Sequence, residues 1–264
     1  MNFVRFMLEF PPLLLLIIIV LLFSLTGIAC TYFFRRYVNM KPLRSHNELV
    51  GYIFATVGGF YGLLLGFVVF LVWDAVNEAQ TNTNREGSIA RALYRDIKFY
   101  PQPGKAASLK ALYIDYIRSV VNEEFPEMEA MKPVTANNHV HFNAVFQEMV
   151  KLDKDAYFSE MFRQLNELAE NRSLRFLDAT SSIPLEIWLP LLMGGAIILI
   201  FAVLVDVESR RLHITANGLL GAFMGLVIYI IIILDHPFTG KLKIEPEAYK
   251  AILQMEKTDA AKPV

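Results

Sequence analysis

One apolar stretch, residues 47–73, constrains the fold of this sequence more than any other part of it. A transmembrane helix needs ~20 predominantly apolar residues, and this stretch exceeds that length with no charged residue after Glu48. At about 3.6 residues per turn, its small and polar residues fall on one narrow side of the helix, here called the glycine stripe. The glycine stripe holds Asn47, Gly51, Ala55, Gly58, Gly62, Gly66, Trp73 and, just past the apolar part, Asn77. The stretch therefore predicts a membrane-spanning helix with one specialised face.

Three further apolar runs, residues 13–34, 187–205 and 214–234, predict three more spans. The composition agrees, because only 19% of the residues are charged, whereas a soluble domain has about a quarter. The sequence from Gly27 to Cys30 resembles a lipoprotein cleavage box, so a cleaved signal peptide is an alternative for the first run. The length of that run and the basic pair Arg35-Arg36 after it favour a retained transmembrane helix.

The hydrophilic segment between the second and third spans predicts a helical bundle. Its apolar residues recur with helical spacing, as Leu109, Leu112, Tyr113 and Tyr116 do, and no alternating strand pattern occurs. The predicted fold is all-α: a four-transmembrane-helix membrane protein with a helical bundle inserted between spans two and three. The predicted segments are 1–73 (two spans and a short basic linker), 74–185 (the soluble bundle), 186–235 (spans three and four) and 236–264 (a C-terminal tail).

The glycine stripe allows two interpretations. Gly58, Gly62 and Gly66 follow one another at i, i+4 spacing, which lets two helices approach closely in lipid. The other interpretation is a pore-lining face, with the stripes of several subunits turned toward a symmetry axis and with Asn47 and Asn77 near the two ends. Both interpretations hold together if several second spans pack around one axis.

Two sets of charged residues are candidates for a functional role. Asp74 and Glu78 lie at the mouth of the predicted pore, where rings of carboxylates favour cations. Arg172 and Arg175 lie three residues apart on one helix face and could attract an anion or a lipid headgroup. The alternative is that they pair with carboxylates of the same segment, namely Glu167, Glu170 or Asp178.

No catalytic or metal-binding pattern stands out. His139 and His141 point to different faces of a helix, and no neighbouring Cys or His completes a set of metal ligands. Phosphate-binding, zinc-protease and dinucleotide-binding motifs do not occur. The net charge of -1 gives no reason to expect nucleic-acid binding. We therefore predict a protein that is not an enzyme, has no cofactor and binds no nucleic acid.

Several motifs along the chain resemble those of the bacterial bestrophin-like membrane proteins. They are His46-Asn47-Glu48, Trp73, Glu86, Glu124-Phe125-Pro126, Asn171-Arg172-x2-Arg175, Ile183-Pro184-x3-Trp188 and Leu234-Asp235-His236-Pro237-Phe238-x-Gly240. Bestrophins are homopentameric chloride channels in which the second membrane helix lines the pore. The resemblance extends over nearly the whole chain and implies an anion-conducting homopentamer in the bacterial inner membrane, with the lipid bilayer and inorganic ions as its partners.

Two features depart from the bestrophin pattern. The bestrophin pore has a bulky apolar neck, whereas this stripe is mostly glycine, with Phe60, Phe67 and Phe70 as the only bulky aromatic candidates. Basic residues in the short loops, Arg35 and Arg210 among them, place those loops in the cytoplasm and the bundle outside, whereas bestrophins keep this domain in the cytosol. A non-conducting scaffold or sensor, whose bundle binds a partner, is the alternative function.

Overall fold

The computed structural model describes residues 2–38, 44–132, 139–205 and 207–260, and these residues form helices joined by short connections. The α-helices are α1 (Asn2–Leu8), α2 (Pro12–Tyr37), α3 (Arg44–Lys98), α4 (Pro103–Ser119), α5 (Phe125–Glu129), α6 (Val140–Met149), α7 (Ala156–Thr180), α8 (Leu185–Leu204), α9 (Arg210–Leu234) and α10 (Glu247–Ala260). A π-helical turn, Val120–Glu124, joins α4 to α5. Within these ranges no strand occurs, which confirms the predicted all-α fold.

Four segments are long and apolar enough to cross a membrane, as the sequence predicts. They lie in Pro12–Tyr37, Asn47–Lys98, Ala156–Leu204 and Arg210–Leu234. Part of the predicted basic linker, including Lys41 and Pro42, falls outside the described ranges, as does Asp206. The chain divides into two compact units, one of residues 6–74 and 182–235 and the other of residues 1–5, 75–181 and 236–264. We call these the span unit and the bundle unit.

Within the span unit, α2 and α9 pack backbone against backbone. A Cβ atom added to Gly27 would lie 2.3 Å from the carbonyl oxygen of Asn217, and one added to Gly221 would lie 2.3 Å from that of Phe23. The Asn217 side chain donates a hydrogen bond to Thr31 Oγ1 at 2.8 Å, so the contact also contains a buried polar pair. Glycine is needed here because lipid offers no hydrophobic drive for helix association and close contact supplies the attraction.

Within the bundle unit, the second half of α3 packs with α4, α6, α7 and α10 around one apolar core. Tyr113, Leu165 and Ile252 are fully buried in this core. The helix α10 lies in the segment that the sequence predicts only as a C-terminal tail. Its contact with α3 is close, because a Cβ atom added to Gly87 would lie 2.3 Å from the Cβ atom of Ala248. The C-terminal segment is therefore part of the bundle core.

Candidate functional site

The glycine stripe of α3 lies on the surface of the chain. Of its members, Ala55, Gly62, Gly66, Trp73 and Asn77 are exposed, and Asn47, Gly51 and Gly58 are half-buried. The helix packs on its own span unit through a different face, which carries the buried residues Tyr61, Leu65, Val68 and Val72. The fold therefore leaves the predicted pore-lining face uncovered by the rest of the chain's span unit.

The glycines of the stripe have no packing role inside the subunit. A Cβ atom added to Gly51, Gly62 or Gly66 would meet nothing within 4 Å, and one added to Gly58 would make only an ordinary contact of 3.9 Å with Ile198. This differs from the α2–α9 contact, where the added atom would collide with backbone. Close helix packing within one subunit therefore does not account for the stripe, whereas packing between subunits and a pore wall both remain compatible with it.

Among the α3 residues that pack on the span unit, Tyr61 makes a specific polar contact with α8. The Tyr61 hydroxyl donates a hydrogen bond to the Leu191 carbonyl oxygen at 3.0 Å. Its ring occupies a notch made by Gly194 and Gly195, where an added Cβ atom would lie 2.8 and 2.9 Å from Tyr61 atoms. No sequence pattern predicts this contact, because Tyr61 resembles any other aromatic residue of an apolar span.

Bulky apolar side chains cover the exposed surface of α3 on one side of the stripe. Phe60, Phe67 and Phe70 are 71%, 61% and 60% exposed. The aromatic candidates for a pore neck are thus accessible. Phe60 and Phe67 lie beside the glycine stripe, whereas Phe70 follows Gly66 at i+4 spacing and continues the row of stripe glycines. Such a large apolar surface is covered by lipid or by another protein surface.

The candidate charges at the pore mouth are also exposed. Asp74 and Glu78 lie one helical turn apart on α3, which continues without a break to Lys98. Neither carboxylate forms an ion pair with a residue in the ranges that the structure describes. Both are therefore available to act on ions in solution.

Arg172 and Arg175 point into the bundle unit and form a buried ion-pair cluster. Arg175 Nε donates to Glu86 Oε2 at 2.6 Å, and Arg175 Nη2 donates to Glu124 Oε2 at 2.5 Å. Arg172 donates to Glu124 Oε1 from Nε at 3.0 Å and from Nη2 at 2.7 Å. The four side chains are between 0% and 4% exposed, and their charges balance. This cluster joins α3, the π-helical turn and α7.

Aromatic rings stack against both guanidinium groups. The Phe176 ring centroid lies 4.6 Å from Arg172 Cζ and 4.8 Å from Arg175 Cζ. The ring of Phe125 also lies against Arg175, with its centroid 4.9 Å from Arg175 Cζ. A guanidinium is more weakly hydrated than an ammonium and stacks well on aromatic faces, which suits arginine to this buried position.

The pKa values in the cluster follow from burial and from the neighbouring carboxylates. Burial alone would lower the pKa of the Arg175 guanidinium, but Glu86 and Glu124 outweigh it and hold that pKa well above its usual value. Burial raises the pKa of the Tyr116 hydroxyl well above its usual value, and the same two carboxylates add to the effect. At neutral pH, Arg175 is therefore charged and Tyr116 keeps its proton.

The structure thus places the two arginines differently from the simplest sequence prediction. Arg175 pairs with carboxylates from two distant segments, and not with the acidic residues of its own helix. A role of Arg172 and Arg175 in binding an anion or a lipid headgroup stays a prediction, and it requires the ion pairs with Glu86 and Glu124 to open. The resemblance included these two carboxylates among its motifs, and no spacing rule connected them with the arginines.

His139 immediately precedes α6, and His141 lies on it. His139 Nδ1 is 3.3 Å from an Nη1 atom of Arg172. Across the described ranges, no group of three or more His, Cys, Asp or Glu side chains has a geometry that could hold a metal ion.

Comparison with known proteins identifies a family. A family model, the Bestrophin-like domain, matches residues 21–249. One similar crystal structure is of a membrane protein with a proline-to-alanine substitution; it is 16% identical, has a TM-score of 0.64 and aligns over 91% of this chain and 98% of that chain. The comparison with curated proteins returned no match.

Two further similar structures are single-residue variants of a bacterial bestrophin homologue from Klebsiella pneumoniae. The tyrosine-to-alanine variant is 14% identical, with a TM-score of 0.60, over 92% of this chain and 98% of that chain. The leucine-to-threonine variant is 15% identical, has a TM-score of 0.60 and aligns over 91% of this chain and 98% of that chain. These structures share the fold of this chain.

Proposed function

This chain belongs to the Bestrophin-like family, and from that premise we propose that it is an ion channel of the bacterial inner membrane. Identical subunits, five by the family resemblance, form a ring with the glycine stripes of their α3 helices around the central axis. The stripe lines the ion path, and Asp74 and Glu78 lie at its mouth. The ring is embedded in lipid and conducts inorganic ions.

One observation carries this proposal: Gly62 and Gly66 of the stripe are exposed, and a Cβ atom added to either would meet nothing within 4 Å in the subunit. A glycine in the middle of a helix costs about 0.5–1 kcal/mol relative to alanine. Two glycines at i, i+4 spacing, Gly62 and Gly66, face open space in the subunit and therefore need a reason outside it. A narrow path between converging helices supplies that reason, because side chains there would close it.

The test is conductance of the purified full-length protein in liposomes, compared between the wild type and two variants. We expect Gly62→Leu to reduce the conductance at least tenfold, because it places a branched side chain on the stripe. The matched control is Phe60→Leu, on the exposed bulky side of the same helix, and we expect it to conduct as the wild type does. Unchanged conductance and assembly in Gly62→Leu would show that the stripe is neither a pore wall nor a close contact.

The ion that passes is the finer part of the proposal. The family resemblance favours anions. The residues at the mouth favour cations, because Asp74 and Glu78 are exposed carboxylates without ion-pair partners in the described ranges. Reversal potentials measured under a potassium chloride gradient separate these two possibilities directly.

A non-conducting scaffold or sensor is the competing function from a different class. It shares the ring of subunits with the channel, but its axis is closed or filled with lipid. A purified oligomer that passes no ions at any tested pH, voltage or calcium concentration would favour it.

A further inference from the structure

A slot opens on the surface of the span unit between α2 and α8, and we call it the mid-span slot. Its volume is about 320 Å³. Exposed residues of the two helices form its rim, namely Leu22, Thr26, Leu192 and Ala196. Buried residues form its floor, namely Tyr61, Gly195, Leu199, Met224 and Ile228. The rim residues lie near the middle of Pro12–Tyr37 and of Leu185–Leu204, so the slot lies near the middle of the spans.

The lining of the slot is apolar, because both of its side-chain hydroxyl groups are bonded within the protein. Thr26 Oγ1 donates to the Leu22 carbonyl oxygen at 2.8 Å, and the Tyr61 hydroxyl donates to that of Leu191 at 3.0 Å. An apolar cavity of ~150 Å³ is large enough to bind benzene, so the slot has room for a longer stretch of hydrocarbon. The slot therefore suits an acyl chain in size and in chemistry.

One side of α2 leads from the slot to the end of the span. Four of its residues lie within about a quarter of a turn of one another around the helix, namely Leu22, Thr26, Phe33 and Arg36. Thr26 and Arg36 are ten residues apart, which is about 15 Å along the axis at 1.5 Å per residue. This is half of the ~30 Å hydrocarbon core of a bilayer. A lipid with an acyl chain in the slot therefore has its headgroup at the level of Arg36.

A second arginine, from α9, lies close to that level. The Arg210 Cζ atom is 4.9 Å from the centroid of the Tyr32 ring. Tyr32 precedes Arg36 by one helical turn, so Arg36 and Arg210 border the same surface, and we call them the arginine pair. Arg36 is exposed and forms no hydrogen bond or ion pair within the ranges that the structure describes.

The charge and the aromatic residues at this end of the span unit favour an anionic headgroup. The sequence segments 35–48 and 206–211 connect the spans here, and they hold six Lys or Arg residues against three Asp or Glu residues. Tyr32 and Tyr37 are 39% and 76% exposed, and tyrosine side chains of membrane helices settle at the headgroup level. Basic pockets between membrane helices bind anionic lipid headgroups.

We propose that the mid-span slot and the arginine pair together bind one anionic phospholipid. One acyl chain fills the slot, and the phosphate accepts hydrogen bonds from Arg36 and Arg210. Such charge-assisted hydrogen bonds are about twice as strong as neutral ones. The lipid site goes beyond the proposed channel and does not depend on it, because a channel and a non-conducting scaffold would both carry it.

The test of the arginine pair is lipid binding by the purified full-length protein in detergent, followed by native mass spectrometry. The probes are phosphatidylglycerol, which is anionic, and phosphatidylcholine with the same acyl chains. We expect the wild type to bind phosphatidylglycerol at least about tenfold more tightly, since each basic residue contributes ~1 kcal/mol. Arg36→Gln should lose this preference. Arg118→Gln is the matched control and should keep it, because Arg118 is an exposed arginine of α4, outside the span unit.

The test of the slot is Ala196→Phe, which places an aromatic ring at the rim. We expect it to weaken the binding of both lipids about fivefold, or ~1 kcal/mol, because the ring takes the place of the acyl chain. Ala216→Phe adds the same ring at an exposed position of α9 that does not line the slot, and it should bind both lipids as the wild type does. Glycerol phosphate, which has the anionic group and no acyl chain, should not compete with phosphatidylglycerol.

Three results would overturn the lipid site. The first is an Arg36→Gln variant that binds like Arg118→Gln, and the second is an Ala196→Phe variant that binds like Ala216→Phe. The third is competition by glycerol phosphate, because a free anion would then be sufficient. If Ala196→Phe weakens subunit assembly in mass photometry and leaves lipid binding unchanged, a second copy of the chain covers the slot and the proposal fails.

Discussion

Arg175 places a full positive charge where no solvent reaches it. The cost of removing a guanidinium from water is several kcal/mol, and the attraction of Glu86 and Glu124 offsets it only because the geometry is good. Burying the Glu86 and Glu124 carboxylates is also costly, and the attraction of the guanidinium groups offsets that cost. The four side chains therefore stabilise one another, and the loss of any one of them leaves a buried charge without its full set of partners.

Replacing Arg175 by methionine should therefore destabilise the bundle severely. We expect Arg175→Met to lower the free energy of unfolding by roughly 3–5 kcal/mol, because the buried Glu86 carboxylate loses its guanidinium partner and Glu124 keeps only Arg172. Denaturant unfolding followed by far-ultraviolet circular dichroism measures this change. Arg163→Met is the control on the same helix, and we expect no measurable effect, because its ion pairs are exposed to water. Equal effects of both substitutions would contradict a special role for the buried cluster.

The sequence could not reveal this cluster, although it contains every member. Helical spacing predicts that Arg172 and Arg175 share a face, and it suggests partners only within the same helix. Their carboxylate partners come from positions 86 and 124, far away in the chain, and long-range pairing leaves no periodic signal. The π-helical turn that presents Glu124 also depends on packing and not on a local pattern.

At the scale of the helix, the same residue type serves two opposite purposes. The glycines of α2 and α9 allow backbones to touch, and those of α3 face open space. Helical spacing alone groups the small residues Gly218, Gly221 and Gly225 of α9 in the same way as those of α3. It could not tell which of them meet another helix of the same chain, since that depends on the tertiary arrangement.

Alanine substitutions distinguish these two purposes. We expect Gly221→Ala to destabilise the protein by about 1–3 kcal/mol, because the new methyl group would collide with the Phe23 backbone and push α2 and α9 apart. Gly66→Ala adds the same methyl group where nothing lies within 4 Å, so helix propensity should stabilise the protein by about 0.5–1 kcal/mol. The midpoint of thermal unfolding in detergent compares the two. A comparable loss in Gly66→Ala would place the stripe in a tight contact between subunits.

The helix α10 shows another limit of sequence reasoning at this scale. The sequence predicts residues 236–264 only as a C-terminal tail. Tyr249 and Ile252 are nevertheless fully buried, and Ala248 packs on Gly87. The glycine at position 87 was the available signal, because a glycine inside a long helix often marks a close approach of another element.

At the scale of the whole molecule, the proposed assembly of identical subunits repeats each exposed carboxylate once per subunit. In a ring of five, Asp74 and Glu78 would form two rings of carboxylates at the mouth of the pore. We expect the double variant Asp74→Asn, Glu78→Gln to shift the reversal potential toward that of chloride under a potassium chloride gradient.

Glu123→Gln is the control for this measurement, because Glu123 is an exposed carboxylate of the π-helical turn and does not belong to α3. We expect it to leave the reversal potential unchanged. A double variant with wild-type selectivity would mean that these carboxylates do not face the ion path.

The attachment of Tyr61 limits how such a channel could open. Turning α3 about its own axis would pull the ring of Tyr61 out of the notch at Gly194 and Gly195 and break its hydrogen bond to Leu191. In the span unit, α3 and α8 therefore share their degrees of freedom and move as one piece. If the protein is the proposed channel, we therefore expect its axis to widen by tilt or displacement of whole span units, with the stripe keeping its orientation within each subunit.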